Sequence, residues 1–148
     1  MVDLVGGKST WAYALHQATG IPVYHLDKYF YTAHWVERDH NEFLSIQQSL
    51  VAGESWIIDG NCIHSLAMHY ARANLVVYLN YPRYICYWRI LKRLLTKNAA
   101  IGDRPPGCQA RISWKFLHYI CNFQDLVASS IVYLPQQYPA IKFIEARS

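Results

Sequence analysis

Residues 6–10 read Gly-Gly-Lys-Ser-Thr, and behind them Trp11, Ala14, Leu15 and Ala18 recur at helical spacing up to Gly20, a C-terminal cap. A glycine, lysine and hydroxyl at the head of a helix form the second half of a phosphate-binding loop, G-x-x-x-x-G-K-[ST]. In that loop main-chain N–H groups cradle phosphate, the lysine reaches the outer phosphates, and the hydroxyl holds Mg²⁺. Gly7, Lys8 and Ser9 supply those parts here. The loop works only between a strand and a helix, so this short run constrains the whole fold. The first glycine of the motif belongs at position 2, where Val2 stands. Two alignments are open. In one, the chain starts inside the loop and the preceding strand is absent. In the other, Val2 to Val5 form a short strand, Gly6 is the first glycine, and four loop residues are missing. Either leaves the cradle incomplete, and a third reading makes Gly6-Gly7 a plain turn capped by Ser9.

Beyond the first helix the pattern alternates. Residues 21–27, IPVYHLD, read as a strand started by a proline and ended by an acid. Residues 27–40 are aromatic-rich without a period, a long loop. Residues 41–53 read as a helix with Phe43, Leu44, Ile46 and Leu50 inward, and SWIIDGN as a short buried strand. A helix over 62–73, a strand over 75–80, a helix from Pro82 to Lys97 and a loop over 100–109 follow. A long amphipathic helix spans 111–137, ended or kinked at Pro135, and residues 140–146 form a last strand. Strands and helices in alternation predict one α/β domain over residues 1–148, a parallel sheet with helices on both faces.

In open α/β sheets ligands gather outside the carboxyl ends of the strands. Two acids are predicted there, Asp27 and Asp59. Asp59 suits a carboxylate that holds magnesium through water or orients an attacking oxygen, and Gly60-Asn61 behind it allows a tight turn with room for a ligand. The plainer readings are that Asp59 caps the following helix and that Asp27 is a solvated loop acid.

Charge is unevenly spread. The net charge is +4, yet from Gly60 to Gln124 the one acid, Asp103, faces nine bases: Arg72, Arg83, Arg89, Lys92, Arg93, Lys97, Arg104, Arg111 and Lys115. Such a field attracts a polyanion. Arg89 and Arg93 share a helix face, with Ile85, Trp88, Ile90, Leu91, Leu94 and Leu95 on the buried side; Arg104 lies in the proline-rich loop that follows. This arrangement suits a lid over residues 97–110 that closes on a transferring phosphoryl group. A nucleic-acid backbone is the second reading of the same bases, and a solvated basic face the third.

Composition fits a globular protein, with 53% hydrophobic and 16% charged residues. No apolar run reaches the ~18 residues of a membrane span, and the start lacks a signal peptide's pattern, so a soluble cytoplasmic protein without a membrane partner is expected. The four cysteines stand apart without a C-x-x-C, and His64 and His69 miss the spacing of a helical metal pair.

Taken in order, GKST, GIPVYHLD, the tryptophan of TAHW, WIIDGN, LVVYLNYPRYICYWRILKR and GDRPPGC give a chain that resembles, over nearly its whole length, the adenylate-kinase-like P-loop family described as DNA topology modulation proteins, a name linked with a flagellar regulator. The resemblance implies a three-layer α/β/α P-loop nucleoside-triphosphate hydrolase fold with parallel strands in the order 2-3-1-4-5. Its first, central strand would here be missing or vestigial. It also implies ATP and Mg²⁺ as ligands and a nucleoside- or nucleotide-kinase-like transfer to a small acceptor. Phosphate binding falls on Gly6, Gly7, Lys8, Ser9 and Thr10, magnesium on Ser9 and Asp59, a substrate or base role on Asp27, and phosphate clamping on Arg89, Arg93 and Arg104. Relatives begin with a full strand and loop and add a helical segment after the last strand, so this chain is expected to be shortened at its start and clipped at its end. An open slot in the sheet would favour self-association. The alternative is a degenerate, non-catalytic relative that binds nucleic acid or protein.

Overall fold

The computed structural model describes residues 2–3, 8–60, 63–82, 84–85, 88 and 114–146. The chain is a mixed α/β protein whose strands pair in parallel throughout: β1 (Val2–Asp3), β2 (Val23–His25), β3 (Ile57–Asp59), β4 (Leu75–Leu79) and β5 (Lys142–Ala146). Two sheets result. One has the order β1-β4-β5, the other pairs β2 with β3, and among the described residues no ladder joins β1 to β3. Parallel neighbours need a long crossover, and the helices provide it. These are α1 (Lys8–Thr19), α2 (Leu26–Phe30), α3 (His40–Val51), α4 (Leu66–Arg72) and α5 (Trp114–Gln137).

The pairing of Val2 with Tyr78 and Asp3 with Leu79 puts a two-residue strand ahead of Gly-Gly-Lys-Ser-Thr, which matches the alignment with a short strand rather than the one with none. Helix α1 begins at Lys8 and ends where Gly20 takes φ +73, a left-handed conformation that costs a residue without Cβ little. The Gly20 N–H donates to the His16 carbonyl at 2.8 Å, closing the last turn. The apolar stripe of α1 faces outward, however. Ala12 is its one buried residue, while Trp11 is 57% exposed and Ala14, Leu15 and Ala18 are exposed too. The helix lies against β2 and β3 through its small residue, because a closely approached sheet leaves no room for the large ones.

Strand β2 is shorter than the sequence pattern implies. It stops at His25, and Leu26–Phe30 turn into α2, so Asp27 sits in the first turn of a helix instead of at a strand end. The aromatic segment read as an aperiodic loop is in fact organised. After α2, a Tyr31–Glu37 bridge and the Thr32 N–H to Val36 carbonyl bond (2.8 Å) close a tight turn over Ala33–Trp35. In α3, Asp39 caps the start by accepting from the Asn41 and Glu42 N–H groups. Phe43 points inward as expected, but the other buried positions are Gln47 and Val51, with Leu44, Ile46 and Leu50 half-buried.

Two cores form. The larger gathers Val76, Tyr78 and Leu79 of β4 with Tyr81, Leu66 and Tyr70 of α4, and Val127 and Leu134 of α5. The smaller joins Leu26, Phe43, Val51 and Ile58, with Met68 of α4 packed on it. Helix α4 therefore touches both cores. Its start is also bolted to α3, since the Ser65 hydroxyl donates to Gln47 Oε1 at 2.6 Å. Helix α5 runs through Pro135 and ends two residues beyond it, at Gln137. Of the basic segment, Tyr84, Ile85 and Trp88 are helical; Ile85 packs on the larger core, but Trp88, expected on the buried side, is exposed. The rest of that segment and the 97–110 lid expectation lie outside the described residues. Among the described residues no helix is long and apolar enough to cross a membrane.

Candidate functional site

The first turn of α1 and the carboxyl ends of β2 and β3 meet at one place. Lys8 and Ser9, both half-buried, open the helix, and Asp59, 3% exposed, closes β3. Register brings a further residue alongside. His25 pairs with Asp59 across the two strands, and paired residues of neighbouring strands present their side chains to the same face. The His25 Nδ1 lies 2.6 Å from Asp59 Oδ2. The other oxygen, Oδ1, is buried and has no hydrogen-bond partner among the described residues.

Electrostatics favour the ionised acid. Burial pushes the Asp59 carboxyl up, but the His25 hydrogen bond, the Lys8 charge, the Ser9 hydroxyl and the His25 charge together outweigh it and hold the carboxyl below its ordinary value. A carboxylate partner fixes Nδ1 as the proton-bearing nitrogen of a neutral or charged His25 ring. The result is a buried anionic oxygen with an ammonium and a hydroxyl beside it. That group can hold a hydrated cation or accept a proton.

Of the residues singled out from sequence, Lys8, Ser9 and Asp59 thus converge. Thr10 is exposed on α1. Asp27 is exposed on α2, and its charge falls on Tyr31, whose hydroxyl is pushed up by burial first, then by Glu37 and Asp27. It is therefore not a second strand-end acid of the kind the pattern implies. Ser65, not Asp59, stands at the N-cap of α4, and Asp59 Oδ2 is held by His25. The room read into Gly60 is filled by protein, since a Cβ there would lie 2.5 Å from Leu26 Cβ. Gly6, Gly7, Arg89, Arg93 and Arg104 lie outside the described residues.

His25 was invisible to the sequence argument for a simple reason. Extending β2 to Asp27 placed the wrong residue opposite Asp59. A strand that ends two residues earlier, with its neighbour laid parallel, puts His25 there.

Among the described residues no three His, Cys, Asp or Glu side chains come together to hold a metal ion. The donors that do converge, one carboxylate oxygen and one hydroxyl, suit a hard cation that keeps most of its water, as Mg²⁺ does when phosphate supplies the remaining ligands. No family model, curated protein or solved structure matches the chain.

Proposed function

We propose that this chain is a P-loop phosphotransferase-type domain that binds ATP with Mg²⁺ and transfers a phosphoryl group to a small hydroxylated or phosphorylated acceptor. The observation that carries the reading is the convergence of Lys8 and Ser9, at the head of α1, on the buried Asp59 at the end of β3. A lysine that reaches phosphate, a hydroxyl that can ligate a cation and an acid that can hold the cation's water are the working parts of such a site. Strand pairing supports it as well. The parallel pairs β2-β3 and β1-β4-β5 are compatible with the order 2-3-1-4-5 that the resemblance implies, which would need β3 beside β1.

In this reading Lys8 neutralises charge on the outer phosphates, Ser9 and Asp59 hold Mg²⁺, and Arg89, Arg93 and Arg104 clamp the phosphates. Bound Mg²⁺ would supply a further positive charge to the transferring group. The exposed Asp27 orients the acceptor from α2. Only four residues join Asp3 of β1 to Lys8, fewer than the motif's loop contains, so the main-chain cradle is short and nucleotide affinity is weak.

Titration of the 148-residue chain with MgATP, followed by NMR chemical shifts, tests this. Millimolar-range binding that disappears in Lys8→Ala is the expected result; binding unchanged in Lys8→Ala would overturn the reading. Affinity in the micromolar range or tighter would overturn the short cradle alone.

One observation favours a second reading, a non-catalytic interaction module: the apolar stripe of α1 is turned to solvent, Trp11 most of all. A second copy of the chain is its simplest partner. Concentration-dependent dimerisation abolished by Trp11→Ser, with no response to MgATP, would favour that reading.

A further inference from the structure

The Asp59 carboxylate is buried, with Oδ2 on His25 and the Ser9 hydroxyl close enough to act on its charge, yet Oδ1 makes no hydrogen bond among the described residues. A buried acceptor left without a donor is costly, so its presence calls for an explanation. The carboxyl torsion of an aspartate is broad and roughly two-fold, and either oxygen of a free carboxylate can face a ligand. Here the choice is made by the neighbouring strand. His25 donates from Nδ1 to Oδ2 at 2.6 Å, its side chain is 11% exposed, and Oδ1 is the atom left over in a carboxylate that Lys8 and Ser9 adjoin.

Resting on the reading given under Proposed function, we infer that His25 is a positioning residue, which ties one oxygen of Asp59 so that the other is presented, fixed in direction, to the hydrated cation that accompanies a bound nucleotide. A purely structural bolt between β2 and β3 would be redundant. The backbone ladder from Val23 to His25 joins the two strands already, and Leu26 packs against Gly60 one residue beyond. The bond adds direction to a ligand oxygen, which is what an outer partner of a metal-binding carboxylate does.

The test separates metal-linked from metal-independent binding. ATP is titrated with and without Mg²⁺ into wild type, His25→Leu, His25→Gln and His25→Asn, with thermal melts of each. The Asn amide places a donor near the position of Nδ1, whereas the Gln amide reaches past it and serves as the polar variant should His25→Leu not fold. Wild type should gain affinity on adding Mg²⁺. Leu and Gln should lose about tenfold of that gain, with metal-free affinity retained, and Asn should restore most of it. A Mg²⁺-dependent gain unchanged in both Leu and Gln overturns the role of His25 while leaving the phosphotransferase reading intact. Equal losses with and without Mg²⁺, tracking the melting temperature, do the same by assigning His25 a structural part. If wild type binds no nucleotide in either condition, while Lys8→Ala is indistinguishable from it, both the reading and this inference fall together.

Discussion

At the scale of single residues, two imidazoles are partnered differently. His25 has a carboxylate to answer its Nδ1 proton; His69 on α4 is 7% exposed, with no hydrogen-bond partner for Nε2 among the described residues. Burial pushes the His69 imidazole from 6.5 down to about 4. The unfolded chain therefore binds a proton that the folded chain refuses between those two values. Stability is whole above pH 6.5, falls as pH drops through that window, and levels off below about pH 4. At ~1.4 kcal/mol per pKa unit the loss is on the order of 3 kcal/mol. Replacing His69 with Leu, which fills similar space without a titrating nitrogen, should remove that part of the slope. Urea unfolding of both proteins at pH 7, 5.5 and 4 measures it; parallel curves for wild type and His69→Leu would show that the imidazole does not carry the effect.

Among the elements, the turn from β3 shows how closely two strand ends are set. Leu26 and Gly60 each follow a member of the His25–Asp59 pair, and the Leu26 side chain occupies the space a Cβ at position 60 would need. The nearest obstacle, Leu26 Cβ, is anchored to the backbone and cannot swing aside. Gly60→Ala should therefore destabilise by about 1–3 kcal/mol through overpacking, and because an alanine at position 26 keeps the same Cβ, adding Leu26→Ala should not restore the loss. Thermal melts of the single and double variants decide this, and a melt unchanged in Gly60→Ala would show the contact to be soft. The same turn marks the limit of what the sequence disclosed. Element types were legible because α1, α3 and α5 carry helical periodicity and SWIID and LVVYL are compact apolar runs. The ends were not. Nothing local tells Leu26 to leave the strand, because that depends on α3 supplying Phe43 to pack upon it. The outward stripe of α1 was unreadable for a related reason: periodicity finds the apolar side of a helix but not which side the sheet will cover. Gln47 shows the converse, a polar residue placed inside because Ser65, distant in sequence, arrives to donate to it.

For the molecule as a whole, α4 joins the two cores. Leu66 and Tyr70 belong to the larger core, Met68 packs on the smaller, and Ser65 reaches Gln47 across the joint. Ser65→Ala leaves Gln47 Oε1 buried without its donor, and a loss of about 1–3 kcal/mol follows, measurable by urea unfolding. Because the lost bond spans the joint, the variant should also unfold over a broader range, with the tryptophan signal and the helical signal no longer coincident. A sharp, coincident transition at lowered midpoint would instead mean that packing alone keeps the halves together. The order of residues along the chain adds something about synthesis. Lys8, Ser9, His25 and Asp59 all precede position 60, and β2 needs only β3, whereas β4 must wait for Lys142 before its ladder with β5 can close. On the ribosome, the four side chains have left the exit tunnel long before the C-terminal strand has been translated.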